Sequence, residues 1–87
     1  MAKGEFREAV SANVVRILRD ERKKRAISMD TLASRAGLSQ AMISFVERDL
    51  RNPTLDTLLR ITEVLEVDLS EVIAQATREA TRRKRNA

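Results

Sequence analysis

The chain has 87 residues, 43% of them hydrophobic but only 2% aromatic, with no cysteine and a formal net charge of +4. That length gives one compact domain with little room for an enclosed catalytic cleft, and an aliphatic core of this composition is expected to form an all-α bundle. Disulfides and thiolate metal sites are excluded, and with neither a run of about 18 apolar residues nor a start like a signal peptide, the expectation is a cytoplasmic protein without membrane contact. Val10, Val14, Ile17 and Leu18 recur at spacings of three and four, which predicts an amphipathic first helix from about Glu5 to Lys24. Ser28 is suited to cap a second helix of two turns carrying Leu32, Ala33 and Ala36 on one face, and Gly37 to stop it in the left-handed conformation. Ser39 caps a third, in which Met42, Ile43 and Val46 face one way and Gln40, Ala41 and Ser44 the other, with Phe45 near the boundary. Asp49, Asn52 and Pro53 end that helix, because the residue before a proline is driven out of the helical region.

Thr54 then caps a fourth helix with Leu55, Leu58, Leu59, Thr62 and Leu65 along one side, leaving Ile61, Val64 and Val67 outside that stripe. Asp68 and Glu71 have the spacing of a capping box, opening a fifth helix through Leu69, Val72, Ile73, Ala76 and Ala80. The predicted organisation is a domain over residues 1–77 and a basic end over 78–87 that either continues the fifth helix or frays from it. Nowhere does an alternating β-branched run suggest a strand.

Charge is distributed in clusters: Arg22-Lys23-Lys24-Arg25, Arg48 with Arg51, and Arg82-Arg83-Lys84-Arg85. Each alone fits a solvated helix end, but three together favour a nucleic acid partner, because a polyanion responds to local potential. Two helices joined by a short turn containing glycine, here Ala36-Gly37-Leu38-Ser39, are the signature of a helix-turn-helix over about residues 28–46. Ala33 is small where the two helices cross. With Ile43 and Val46 committed to the core, Gln40, Ala41, Ser44 and Arg48 project outward from the same helix. No histidine, no cysteine and no glycine-rich phosphate loop is present, and nothing nominates a nucleophile, an acid–base pair, a metal or a cofactor.

From Val14 to Ile73 the sequence resembles the Cro/C1-type (Xre-type) helix-turn-helix regulators, which include lambdoid phage repressors, controller proteins of restriction-modification systems and many antitoxins. The resemblance is carried by Ile27-Ser28-Met29-Asp30-Thr31-Leu32-Ala33, Ala36-Gly37-Leu38-Ser39-Gln40, Ile43-Ser44-Phe45-Val46-Glu47-Arg48 and Arg51-Asn52-Pro53-Thr54-Leu55, in that order. It implies a five-helix domain of the lambda-repressor-like type, with the third helix presented to the major groove by a symmetric homodimer on double-stranded DNA. Position by position, Ser39, Gln40, Ala41, Ser44 and Phe45 fall where the family meets bases or groove edges. Gln40 is the strongest reader among them, since its amide can pair in bidentate fashion with adenine. Phosphate contacts are expected from Arg48, Arg51, the backbone at Asn52, and Thr54 at the start of the fourth helix. Arg22 and Glu47 occupy the positions of a structural ion pair, and Ile61, Val64 and Val67 are either peripheral core or the dimer contact.

Two positions depart from the family pattern. Met29 stands where a glutamine commonly bonds a phosphate, so that contact is expected to be lost. Asp49 stands in place of a glycine after the recognition helix, where it would pair with Arg48 or Arg51 or weaken the approach of phosphate. The functional expectation is a sequence-specific regulator, a repressor or autoregulator. The alternative is an antitoxin or adaptor that uses the fold to hold a partner protein.

Overall fold

A computed structural model describes the backbone from Lys3 to Asn86 and the side chains from Gly4 to Arg82, so the side chains of Arg83-Lys84-Arg85 in the terminal basic cluster lie outside the described residues. Among the described residues there are five helices and no strand: α1 (Lys3–Lys24), α2 (Met29–Ala36), α3 (Gln40–Glu47), α4 (Leu55–Leu65) and α5 (Leu69–Asn86). They form a body with principal extents of 40 × 21 × 19 Å.

The helix starts follow from hydroxyl caps. The side-chain oxygens of Ser28, Ser39 and Thr54 each lie in extended backbone and accept from the amide three residues on, at Thr31, Met42 and Thr57. Each bond satisfies one of the amides that a helix N-terminus leaves without a partner. The ends follow from left-handed residues: Ala26 after α1, Gly37 after α2, Asp49 after α3 and Glu66 after α4 all have φ between 55° and 70°. Only one of the four is glycine.

The core is drawn from all five helices. Val14, Val15, Ile17 and Leu18 of α1 pack with Leu32 and Ala33 of α2, Ile43 and Val46 of α3, Ile61 and Leu65 of α4, and Leu69, Val72 and Ala76 of α5. Two parts of the expected pattern are corrected. On α4 the buried side is Thr57, Ile61, Thr62 and Leu65, while Leu55 and Leu59 are 64% and 43% exposed. On α5, Ile73 is exposed while Ala76 and Ala80 are wholly buried. The phase adopted by α4 buries two threonines, and local bonds make this tolerable. Thr54 Oγ1 donates to Thr57 Oγ1 at 3.1 Å, and Thr62 Oγ1 donates to the Leu59 carbonyl at 3.1 Å.

α1 and α5 lie side by side in the same direction. Asn13 Nδ2 donates to the Ala76 carbonyl at 3.1 Å and Arg16 Nη2 to Glu79 at 2.7 Å, two contacts with the same sequence offset. The small side chains of Ala76 and Ala80 permit that close approach. α5 runs unbroken to Asn86, so the basic end of the chain continues the helix. At its start, the Asp68 carboxylate accepts from the Ser70 amide at 2.9 Å and the Ser70 hydroxyl at 2.6 Å. Those bonds hold the Asp68 carboxyl below the usual carboxylate range. No helix among the described residues is long and apolar enough to cross a membrane.

Candidate nucleic-acid interface

α2 and α3 are joined by residues 37–39, and the geometry of that turn fixes what α3 presents. Gly37 sits at φ 70°, its amide donating back to Ser34 while the Leu38 amide donates to the Ala33 carbonyl at 2.9 Å. This pair of bonds closes α2 and reverses the chain. A Cβ on Gly37 would lie 2.9 Å from Nη1 of Arg60, which donates to the Ala36 carbonyl at 3.3 Å. Asp56 accepts from Arg60 Nε at 2.8 Å, and that hydrogen bond, with the carboxylate charge, raises the guanidinium pKa further. Arg60 thereby reaches from α4 to the end of α2 and braces the turn. Sequence reasoning missed this residue, since its partner is a backbone carbonyl 24 positions away.

Ile43 and Val46 are buried and pin one side of α3 to the core. The 100° advance per residue then places Gln40, Ala41 and Ser44 on the opposite side, the first two exposed and Ser44 half-buried. Ser39 is exposed, but its hydroxyl oxygen is engaged by the Met42 amide at 3.0 Å, so its first duty is the cap. Gln40 carries the one side-chain amide of α3, and it is exposed.

At the far end of α3, Arg22 of α1 meets Glu47. Its Nε and Nη2 donate to the two carboxylate oxygens at 2.6 and 2.9 Å, and Nη1 donates to the Ile27 carbonyl at 2.8 Å. Both side chains are only 11% exposed. The fork therefore locks the end of α1, the α1–α2 connection and the end of α3 together, and removing either partner would strand the other away from water. Because both carboxylate oxygens are taken, Glu47 presents little free negative charge to a ligand near α3.

The segment after α3 carries the remaining cations. Asp49 takes a left-handed turn, with the Leu50 amide donating to the Phe45 carbonyl at 2.9 Å. This bond folds residues 48–51 back toward Phe45. The ring of half-buried Phe45 lies 5.7 Å from the guanidinium carbon of Arg48 and 4.9 Å from that of Arg51. Among the described residues neither arginine forms an ion pair, and Asp49 pairs with neither of them. An aromatic residue followed by arginines three and six positions later was the only sequence signal of this arrangement. Asn52 is exposed and lines a polar cleft with Asp49 and Arg7, Glu8 and Ser11 of α1. Thr54 is exposed, but its hydroxyl donates to Thr57 Oγ1 and its oxygen accepts from the Thr57 amide, so its side chain serves the cap of α4.

The remaining sequence-nominated positions lie elsewhere. Ile61 is a core residue at 3% exposure, which corrects its nomination as a dimer contact. The phase of α4 turns it inward. Val64 and Val67 are half-buried and pack against the core. Met29 does the same, so its side chain serves packing at the position where a polar phosphate contact was expected to be missing. Among the described residues no group of three or more acidic or thiol side chains could hold a metal ion.

Comparison with known proteins agrees with this geometry. Residues 18–72 match a family model described as "Helix-turn-helix". An uncharacterized HTH-type transcriptional regulator of Mycobacterium tuberculosis is 37% identical over 59 residues, which cover 68% of this chain and 42% of that protein. A second, from Sinorhizobium fredii, is 30% identical over 69 residues, covering 79% of this chain and 84% of the relative. The immunity repressor protein of Bacillus phage phi105 is 34% identical over 56 residues, covering 64% of this chain and 39% of its own length. The chain thus spans about two fifths of the length of two of these three relatives. No solved structure gives a significant match.

Proposed function

Because the chain belongs to the helix-turn-helix family of transcriptional regulators, a DNA-binding and not a catalytic class, we propose that it binds operator DNA as a homodimer and acts as a repressor or autoregulator. The observation that carries this reading is the outward side of α3. Gln40, Ala41 and Ser44 are displayed together because Ile43 and Val46 are buried behind them and Ser39 caps the first turn. A single helix of eight residues, read through one amide and small side chains, discriminates few base pairs. Phosphate anchoring by Arg48, Arg51, the backbone at Asn52 and the start of α4 supplies affinity without sequence information. A second copy then supplies the specificity that one half-site lacks.

The surface best suited to that second copy is the outer side of α4. Leu55 and Leu59, four residues apart, are exposed there, and Leu50 is exposed in the segment before it. Asp56 and Arg60, also four apart, flank the two leucines. An antiparallel pairing of α4 with its own copy, about a two-fold axis near residues 57 and 58, brings Leu55 against Leu59. The same operation sets Asp56 beside Arg60 on one flank, as a self-complementary contact requires. The nearness of Thr54 keeps this axis beside the phosphate-contacting loop.

The experiment is selection of binding sites from random duplex DNA. The expected product is an inverted repeat whose half-sites are separated by about one helical turn, roughly 34–36 Å. Enrichment of a lone asymmetric half-site would overturn the dimer, and no enrichment over random sequence would overturn sequence-specific binding.

A further inference from the structure

We infer that Phe45 is a positioning residue for phosphate contact, a platform that holds Arg48 and Arg51 ready, and not a reader of bases. The inference rests on the DNA-binding reading above and assigns to Phe45 a duty within it. Three observations carry it. First, both guanidiniums stand over one ring, at 5.7 and 4.9 Å from its centroid. Second, among the described residues neither has a carboxylate partner, although Glu47 and Asp49 are close in sequence. Third, the backbone is built to produce the stack: the Arg48 amide closes α3 on the Ser44 carbonyl at 3.1 Å, Asp49 turns left-handed, and Leu50 bonds back to the Phe45 carbonyl.

The chemistry distinguishes a ring from a carboxylate as a support. A carboxylate would hold an arginine but neutralise it and occupy its donors. An aromatic face attracts the flat side of the guanidinium and leaves its in-plane N–H donors unneutralised for a phosphate to take in bidentate fashion. In Arg48 one of them, Nε, donates to the Ser44 carbonyl at 3.4 Å, which leaves its two Nη groups. Long arginine side chains lose considerable rotamer freedom when they bind, so ordering two of them beforehand increases affinity for any sequence equally. Phe45 is half-buried and already covered by these two side chains, which leaves less of its ring for a thymine methyl than its place on α3 suggests.

The test is a double-mutant cycle on duplex affinity, with the selected operator and a scrambled duplex as probes. Phe45→Leu keeps apolar volume and removes the aromatic face; Phe45→Trp restores a face; thermal melting verifies that both fold. Phe45→Leu is expected to weaken both duplexes alike, by roughly three- to tenfold for two exposed cation–π contacts. The loss should shrink when Arg51 is already alanine, and Phe45→Trp should recover most of it. In the free protein, proton NMR should show Arg51 side-chain signals displaced by the ring current and released in Phe45→Leu. Altered preference at one base position with unchanged binding to the scrambled duplex would overturn the inference, as would losses that simply multiply with Arg51→Ala. Absence of the ring-current displacement would overturn it without reference to DNA. A wild-type protein that shows the displacement but binds neither duplex would instead overturn the DNA-binding reading and, with it, the purpose of the platform.

Discussion

Gln40 and Arg51 differ in what their side chains can know about a duplex. The amide of Gln40 matches the donor and acceptor of one base edge, whereas the guanidinium of Arg51 matches any phosphate. Arg51→Ala should therefore weaken binding to all sequences and reduce the slope of log affinity against log salt by about one, measured by titration at several salt concentrations. A loss confined to one sequence would place Arg51 on a base. The outward side of α3 was legible in the sequence because Ile43 and Val46 set the phase of a short helix, and the residues turned away from the core follow by rotation. The partners of Arg51 and Arg60 were not legible. Each depends on how a loop or a neighbouring helix returns in space, and one-dimensional spacing does not encode that.

The short helices of the motif depend on their boundaries more than on propensity, since eight residues make few internal bonds. Gly37 is the most exacting of these positions. Gly37→Ala would place an L residue in the left-handed region and a methyl group against Arg60, and should cost about 1–2 kcal/mol by chemical denaturation. α5 depends on pH at its start. The Asp68 carboxyl has its pKa lowered by bonds from Ser70, so its contribution is present above the unfolded carboxylate value and is lost as pH falls through the lower folded value. The melting temperature should accordingly decline on acidification, and the decline should be smaller in Asp68→Ala; an equal decline in the two proteins would refute the role of this cap. The N-caps of α2, α3 and α4 could be read from the sequence, because serine and threonine before an apolar run have local reasons to be there. The left-handed ends at Ala26 and Glu66 carried no such signal, and Asp68 bonds Ser70 where a capping box with Glu71 was expected. The phase of α4 could not be read. Apolar residues at 55, 58, 59, 61, 64 and 65 fit two stripes, and the structure selects the one that buries Thr57 and Thr62 because neighbouring oxygens satisfy their hydroxyls.

Across the five helices, α1 and α5 form a parallel brace and Arg22 ties it to the end of α3, so the helix proposed to read DNA is anchored to the rest of the fold at its C-terminal end. Such a fold can place two recognition helices at a fixed spacing only through a defined contact between copies. If that contact is the outer side of α4, Leu59→Glu should shift sedimentation toward monomer and lower affinity for the full operator while leaving half-site affinity unchanged. An unchanged association would move the interface to another surface. The sequence pattern put Leu55 and Leu59 on the core stripe and left Ile61 open between peripheral core and dimer contact; the phase of α4 exposes the two leucines and buries Ile61.

Everything proposed for this protein turns on base reading by Gln40 and its neighbours on α3. The most direct measurement titrates wild-type and Gln40→Ala proteins against duplexes in which each base pair of the selected operator is varied in turn. Gln40→Ala is expected to relax discrimination at one position per half-site by about 1–3 kcal/mol and leave the others intact. Unchanged preference at every position would contradict base reading by Gln40.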